Sequence, residues 1–253
     1  MQDIYIGDQG KGFPLVLVHG FLCSSMMWEP QINFFKDYFR VITPDLPGFG
    51  RSNKAKSHNS IQLMADSVLE SLERKKIEKF YLLGHSMGGM IVQEIARKKG
   101  NKISKLICYS TGPVGEMPGR FETIDQSREN LKKKGLEITA KNIAKTWFVL
   151  GEKAKYFNLC LESGRKPSAE TTDNALIAFK NWNGLDNLKN IKNETLIIWG
   201  DQDKSYNLEQ VETLEKNIKN SKLTIFKNSS HCVHLEQPNE FNNTVKNFLL
   251  SSS

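Results

Sequence analysis

Cysteine is sparse in this sequence and shows none of the spacings that mark a metal site or a disulfide framework. The four cysteines lie at positions 23, 108, 160 and 232, and no Cys-x-x-Cys pair occurs. Structural zinc sites and disulfide-rich domains both rely on closely and regularly spaced cysteines. We therefore expect no metal site and reduced thiols in a cytoplasmic protein.

Long apolar runs are absent as well. No run approaches the roughly 20 apolar residues that a membrane-spanning helix needs. The N-terminal residues Met1 to Tyr5 do not show the basic region and apolar stretch that begin a secretory signal. The sequence thus disfavours both secretion and insertion into a membrane.

The basic residues are not concentrated in any one stretch. Lysine and arginine number 35 against 28 acidic residues, which gives a net charge of +7. The basic groups are scattered, as in Lys75-Lys76 and in the run from Lys132 to Lys134. A nucleic-acid-binding face would gather them into a patch or stripe. We therefore expect a solvated surface and a small-molecule partner, with no nucleic acid or membrane partner.

Strand and helix patterns alternate in two separate parts of the chain. Short apolar runs alternate with helical patterns up to about residue 112, and the alternation resumes near residue 191. This order is typical of a mostly parallel, doubly wound sheet with helices on its faces. We expect about six strands before residue 110, the first over residues 4–6, and a helix over residues 28–39.

The strand pattern stops between the two parts. Residues 113–190 show helical patterns instead, over 130–150, 153–162 and 172–182. At 253 residues the chain is long enough for one α/β domain with an insertion. We predict a core formed by residues 1–112 and 191–253, and a helical cap, or lid, formed by residues 113–190.

A Gly-x-Ser-x-Gly string lies between a strand pattern and a helix pattern. Gly84, Ser86 and Gly88 follow the apolar run over residues 80–83 and precede a helical pattern that begins near Met90. A serine at such a sharp turn presents its hydroxyl above the sheet, and the glycines allow the strand and helix to approach. This context indicates a nucleophile elbow.

A serine hydroxyl needs two partners to act as a nucleophile. A histidine must accept its proton, and a carboxylate must orient that histidine and stabilise its charged form. Candidates follow the late strands of the sequence. Asp201 and Asp203 lie after the apolar run over residues 195–199, and His231 and His234 lie after the run over residues 223–226.

Four motifs in this order resemble the α/β-hydrolase superfamily, in its cap-bearing esterase and lactonase-like branch. They cover residues 18–21, 45–52, 84–89 and 199–203, with a histidine following at position 231. The resemblance extends over essentially the whole chain outside residues 113–190. It implies an α/β-hydrolase fold, with a mostly parallel doubly wound sheet and an inserted helical cap.

The resemblance also implies roles for individual residues. Ser86 corresponds to the nucleophile, Asp203 to the acid and His231 to the base. Asp201 remains a rival for the acid because it too follows the strand, and His234 remains a rival for the base. The position of Asp203 after Gly200 and the segment that follows His231 match the family pattern better.

Other residues are expected to complete the site. The backbone N–H groups of Phe21 and Met87 correspond to the oxyanion-hole donors of this fold. We expect His19, Trp147 and Trp182 to contact the substrate. Cys23 and Cys232 are interpreted as small apolar neighbours of the site, and we expect no metal or organic cofactor.

The segment after the predicted acid departs from the family pattern. Many relatives have a basic residue, an apolar residue and a proline after the acid, where this chain has Lys204, Ser205 and Tyr206. This difference makes the geometry of the acid loop a point for the structure to decide.

These features predict a serine hydrolase of the carboxylesterase type. It would cleave a carboxylic ester or lactone of a small, partly apolar substrate through an acyl-enzyme formed on Ser86. Two alternatives use the same fold: a hydrolase of carbon–carbon bonds in ring-fission products, and a ligand-binding receptor. The intact Ser86, Asp203 and His231 argue against the receptor.

Overall fold

A β-sheet forms the centre of the computed structural model, which describes residues 3–117 and 119–251. Within these ranges the sheet has seven strands in the order β1-β3-β2-β4-β5-β6-β7. β1 pairs with β3 in the antiparallel direction, and the other neighbours are parallel. The expected doubly wound, mostly parallel sheet is confirmed. The strands are β1 (Ile6–Gln9), β2 (Pro14–Val18), β3 (Arg40–Pro44), β4 (Phe80–His85), β5 (Ile103–Tyr109), β6 (Glu194–Gly200) and β7 (Ser221–Phe226).

The helices pack beside the sheet. Along the chain they lie between the strands. Two of the packed pairs are α1 with α9 and α2 with α3. The helices are α1 (Glu29–Phe35), α2 (Ile61–Arg74), α3 (Met87–Lys99), α4 (Ile124–Ala144), α5 (Phe157–Gly164), α6 (Ala169–Asn181), α7 (Leu208–Asn217), α8 (Val233–Glu236) and α9 (Pro238–Leu250). None of them, within the described ranges, has both the length and the apolar character needed to cross a bilayer.

The central strands place the loops that carry the candidate site residues at one edge of the sheet. Residues 15–18 of β2 and 82–85 of β4 are buried, as expected for strands covered on both faces. β2, β4 and β6 run parallel, so the loops that follow them emerge at the same edge. That edge is where the segments after Val18, His85 and Gly200 meet.

The N-terminal strand lies later in the chain than we predicted. The sequence indicated a strand over residues 4–6, whereas β1 covers Ile6–Gln9 and Ile6 lies opposite Pro44. An edge strand is paired on one side only, so its outer half carries polar residues and lacks an apolar signal. Among the described residues five strands precede residue 110, and the predicted count of six was wrong.

The first helix is shorter than predicted. We expected a helix over residues 28–39, but α1 covers Glu29–Phe35 and is preceded by a short 3-10 turn at Ser25–Trp28. Pro30 lies in the first turn of α1, where a missing N–H group has no cost. The aromatic residues at positions 38 and 39 belong to the turn that leads into β3.

Three helices, α4, α5 and α6, occupy the chain between β5 and β6, and α4 packs against both others. α4 contains a break at Gly135, whose φ of 78° is outside the helical region. A bridge between Val114 and Asn183 closes the base of this segment. Hydrogen bonds from Gly115 N to Trp182 O (2.9 Å) and from Gly184 N to Pro113 O (2.8 Å) flank that bridge.

A capping box holds the start of α4. Thr123 Oγ1 accepts a hydrogen bond from Gln126 N (3.1 Å), and Gln126 Oε1 accepts one from Thr123 N (2.8 Å). Each bond satisfies a backbone N–H group that the helix itself leaves unpaired.

Replacement of Thr123 by alanine tests this cap. Thr123→Ala is expected to lower the free energy of unfolding by about 1 kcal/mol, because the N–H of Gln126 loses its acceptor. Thr123→Ser keeps the hydroxyl and should retain most of that stability. Urea unfolding followed by circular dichroism measures both variants. Equal stability of the alanine and serine variants would contradict the assigned role of the capping box.

Candidate active site

Ser86 lies at a strained turn between β4 and α3. Its φ of 56° and ψ of −116° are rarely adopted by residues other than glycine. The backbone on both sides is anchored: Ser86 N donates to Tyr109 O (2.9 Å), and Thr111 Oγ1 donates to Ser86 O (2.9 Å). Strain of this kind persists only where the surrounding contacts enforce it.

The glycines on either side of Ser86 are required by packing. A Cβ atom at Gly84 would overlap the backbone of Gly88, and one at Gly88 would overlap the carbonyl of Val18 in the neighbouring strand. The strand, the turn and α3 can therefore come together only without side chains at these positions. Ser86 is 6% exposed.

Asp203 and His231 form a buried hydrogen-bonded pair. His231 Nδ1 lies 2.9 Å from Asp203 Oδ2, and both side chains are almost fully shielded from solvent. Asp203 Oδ1 accepts the backbone N–H groups of Ser205 (2.7 Å) and Tyr206 (3.3 Å). A carboxylate at Nδ1 favours the tautomer that carries a proton there, which leaves Nε2 free to accept one.

The rival acid and base have other partners. Asp201 Oδ2 lies 3.7 Å from Lys227 Nζ, at the surface beside β7. His234 Nδ1 lies 2.9 Å from the Tyr109 hydroxyl, and its ring packs 4.7 Å from Trp28. Burial lowers the pKa of His234 to about 3. The His234 imidazole is therefore neutral at physiological pH and fixed in the core.

A buried polar network supports the carbonyl of His231 from behind. His85 Nε2 donates to His231 O (3.0 Å), and the Tyr109 hydroxyl also lies 3.2 Å from that oxygen. Burial lowers the pKa of His85 well below its usual value, so its ring is neutral. The sequence pattern did not indicate this role of Tyr109. The only sign of it in the sequence is a residue with a polar tip at the end of a buried strand.

Ser86 and His231 border the same small cavity. Its volume is about 20 Å³, roughly the space of one water molecule. The lining includes Phe21, Ser86, Met117, Arg120, Phe121, Ile143, Trp147, Phe179, Ser205, Tyr206 and His231. Most of these side chains are apolar, and several come from the chain between β5 and β6.

Of the three residues expected to contact substrate, only Trp147 is among those that line this cavity. His19 Nδ1 lies 2.8 Å from Gly20 O, and its Nε2 accepts the N–H of Leu46 (3.0 Å), so both ring nitrogens are occupied in the core. Trp182 Nε1 donates to Glu94 Oε1 (2.9 Å). The two side chains contribute to packing around the site.

The two expected oxyanion donors belong to Phe21, which lines the cavity, and to Met87, which follows Ser86 in the sequence. Met87 is the first residue of α3, and the N–H groups of a helix's first turn have no partner inside the helix. Phe21 lies after the end of β2 and borders the cavity. The positive end of the α3 dipole favours negative charge at this point.

The cysteines near the site are buried thiols. Burial raises the pKa of both Cys23 and Cys232 well above the usual value, and the nearby Cys160 raises each further. Neutral thiols are poor nucleophiles. Within residues 3–117 and 119–251, no group of three or more histidine, cysteine or acidic side chains is arranged to hold a metal ion.

Comparison with known proteins gives relatives at two levels of coverage. The chain is 30% identical over 131 residues to (E)-2-((N-methylformamido)methylene)succinate hydrolase of Acinetobacter baylyi, and the match spans about half of each protein, 52% and 49%. It is 26% identical over 218 residues to pimeloyl-[acyl-carrier protein] methyl ester esterase of Legionella pneumophila, and this match covers 85% of each protein.

The fold is shared with solved structures and with a family model. The esterase EaEST from Exiguobacterium antarcticum superposes with a TM-score of 0.90 at 26% identity, over 98% of this chain and 96% of that one. The family model described as the alpha/beta hydrolase fold matches residues 14–238. This chain belongs to the α/β-hydrolase fold family.

Proposed function

We propose that the protein is a serine hydrolase that cleaves a carboxylic ester or lactone of a small, partly apolar substrate. One observation carries the proposal: His231, which is hydrogen-bonded to the buried Asp203, borders the same cavity as Ser86 at its strained turn. A hydroxyl, an imidazole and a carboxylate in this order are the groups needed for nucleophilic acyl transfer.

In the proposed reaction, Ser86 Oγ attacks the carbonyl carbon of the ester. His231 Nε2 accepts the hydroxyl proton as the new bond forms, and Asp203 stabilises the resulting imidazolium. His231 then gives that proton to the departing alcohol, which leaves an acyl group on Ser86. A water molecule, deprotonated by His231, releases the acid and restores Ser86.

The negative charge that develops on the carbonyl oxygen needs nearby donors. The backbone N–H groups of Phe21 and Met87 are the proposed pair, one from each of the loops that follow β2 and β4. Donors held in a fixed geometry stabilise the transition state without reorganisation, and each is worth about 3–4 kcal/mol. The position of Met87 at the start of α3 adds the field of the helix.

We propose that residues 113–190 act as a cap over this site. Two contacts support the assignment. Trp147 O accepts a hydrogen bond from Cys232 N (3.0 Å), and the Glu236 carboxylate accepts the N–H groups of Val149 and Ser230, both at 2.7 Å. The segment between β5 and β6 is thereby tied to the loop that carries His231.

Replacement of the nucleophile tests the proposed reaction directly. The wild-type protein is expected to hydrolyse p-nitrophenyl esters, and Ser86→Ala should lower kcat by about 10⁴-fold or more, as is typical when the nucleophile of such a triad is lost. The release of p-nitrophenol, measured from acetyl to long acyl chains, gives the rates and the size of the acyl pocket.

A matched control separates loss of the nucleophile from loss of folding. Ser67→Ala removes a hydroxyl on α2, away from the cavity lining, and should keep the wild-type rate. Absence of turnover on every ester by the wild-type protein, or equal rates for Ser86→Ala and the wild type, would reject the esterase proposal.

The two candidate acids give a second test. Asp203→Asn is expected to lower kcat by about 10⁴-fold, because the amide favours the wrong tautomer of His231 and cannot stabilise its charge. Asp201→Asn should change kcat by less than tenfold, since Asp201 is paired with Lys227 instead. Steady-state kinetics on one p-nitrophenyl ester compares the two variants, and the reverse ranking would assign the acid to Asp201.

A further inference from the structure

Tyr206 places an unpaired hydroxyl in the catalytic cavity. Its side chain is 1% exposed, and its ring stacks on His231 with 5.8 Å between centroids and 14° between planes. Burial raises the pKa of this hydroxyl well above its usual range, and the side chains of Ser86 and Thr111 lie next to it, although none of the described residues meets hydrogen-bond geometry with it. Buried hydroxyl groups are usually paired, and because Tyr206 borders the cavity its hydroxyl is available to a bound molecule.

Arg120 places a cation beside the same cavity. Its Nη1 donates to Glu122 O (2.6 Å) and Ser127 Oγ (3.0 Å), which holds the guanidinium over the ring of Phe121. Within residues 3–117 and 119–251, its Nε and Nη2 donate to no acceptor. The charge of Arg120 is close enough to the Tyr206 hydroxyl for each group to shift the pKa of the other.

Within the described ranges Arg120 forms no direct ion pair with an acidic side chain, unlike the other arginines. All seven arginines are described by the structure, and six of them form ion pairs: Arg40, Arg51, Arg74, Arg97, Arg128 and Arg165. The nearest acid, Glu122, uses its carboxylate oxygens to accept from Ser127 Oγ and Asn130 Nδ2. Glu122 thus interacts with the guanidinium only at longer range, and an anion that enters the cavity offsets the remaining cost of burying this charge.

We infer that Arg120 and Tyr206 form a subsite for a carboxylate carried by the substrate. A guanidinium and a hydroxyl together match the two oxygens of a carboxylate. Both residues border the cavity that contains Ser86. The inference rests on the proposed function and narrows it to an ester or lactone that carries a carboxylate elsewhere in the molecule.

This subsite changes the expectation drawn from the sequence. The apolar residues between residues 113 and 190 indicated a partly apolar substrate, and Phe121, Ile143 and Phe179 do line the cavity. The structure adds one charged group, the Arg120 guanidinium, to that lining. Tyr206 is also one of the two residues, with Ser205, at which the segment after Asp203 departs from the family pattern, so part of the departure has a proposed role.

A pair of substrates that differ by one charge tests the subsite. Monomethyl glutarate carries a carboxylate that dimethyl glutarate lacks, and methanol release measures the hydrolysis of both. The ratio of kcat/KM for the monoester to that for the diester is expected to fall about 10- to 100-fold in Arg120→Gln, mainly through KM, because a charge-assisted hydrogen bond is lost. Tyr206→Phe should lower the ratio by a smaller factor, and Arg165→Gln should leave it unchanged.

A binding measurement makes the result independent of turnover. Ser86→Ala protein is titrated with glutarate by calorimetry, alone and combined with Arg120→Gln, after thermal melts show that each variant is folded. Glutarate binding that is lost in Arg120→Gln would support the subsite even if no ester were hydrolysed. The lack of hydrolysis would then reject the esterase proposal alone. Ser86-dependent hydrolysis with an unchanged ratio in Arg120→Gln and Tyr206→Phe would overturn the subsite alone. Absence of both hydrolysis and glutarate binding would overturn both.

Discussion

The strained backbone at Ser86 is the constraint on which the rest of the site depends. A residue with a positive φ in this region costs about 1–3 kcal/mol, so the surrounding structure must hold it. β4 supplies a buried strand on one side and α3 a helix on the other, and Gly84 and Gly88 remove the side chains that would keep them apart. Tyr109 and Thr111, both at the end of β5, fix the turn from the next strand.

The same strand end also determines where the histidine lies. The Tyr109 carbonyl anchors Ser86, and the Tyr109 hydroxyl contacts the carbonyl of His231. One residue at the end of β5 is therefore hydrogen-bonded to both the proposed nucleophile and the proposed base. Because β5 is a buried central strand with partners on both sides, the relative position of these two loops is set by the most rigid part of the sheet.

The sequence predicts the sheet and the candidate triad better than it predicts the surroundings of the site. Apolar strands buried on both faces leave continuous runs, and a Gly-x-Ser-x-Gly turn leaves a local pattern that needs no tertiary information. β1 was misplaced because an edge strand lacks the apolar run. His19 and Trp182 were expected in the cleft, but residues of these types pack equally well in the core, and only the side-chain directions distinguish the two.

The roles proposed for Arg120 and Tyr206 could not be predicted for a related reason: they depend on an ion pair and a hydrogen bond that these side chains do not form. An arginine in a loop and a tyrosine after an acid have no unusual pattern, and only the ion pairs formed within the described ranges show that Arg120 differs from the other six arginines. Ser86 and His231 are fixed by strand ends and buried hydrogen bonds, whereas the other walls of the small cavity come largely from the chain between β5 and β6. Arg120 belongs to that segment and Tyr206 to the loop after Asp203, so the proposed subsite joins the two walls of the cavity.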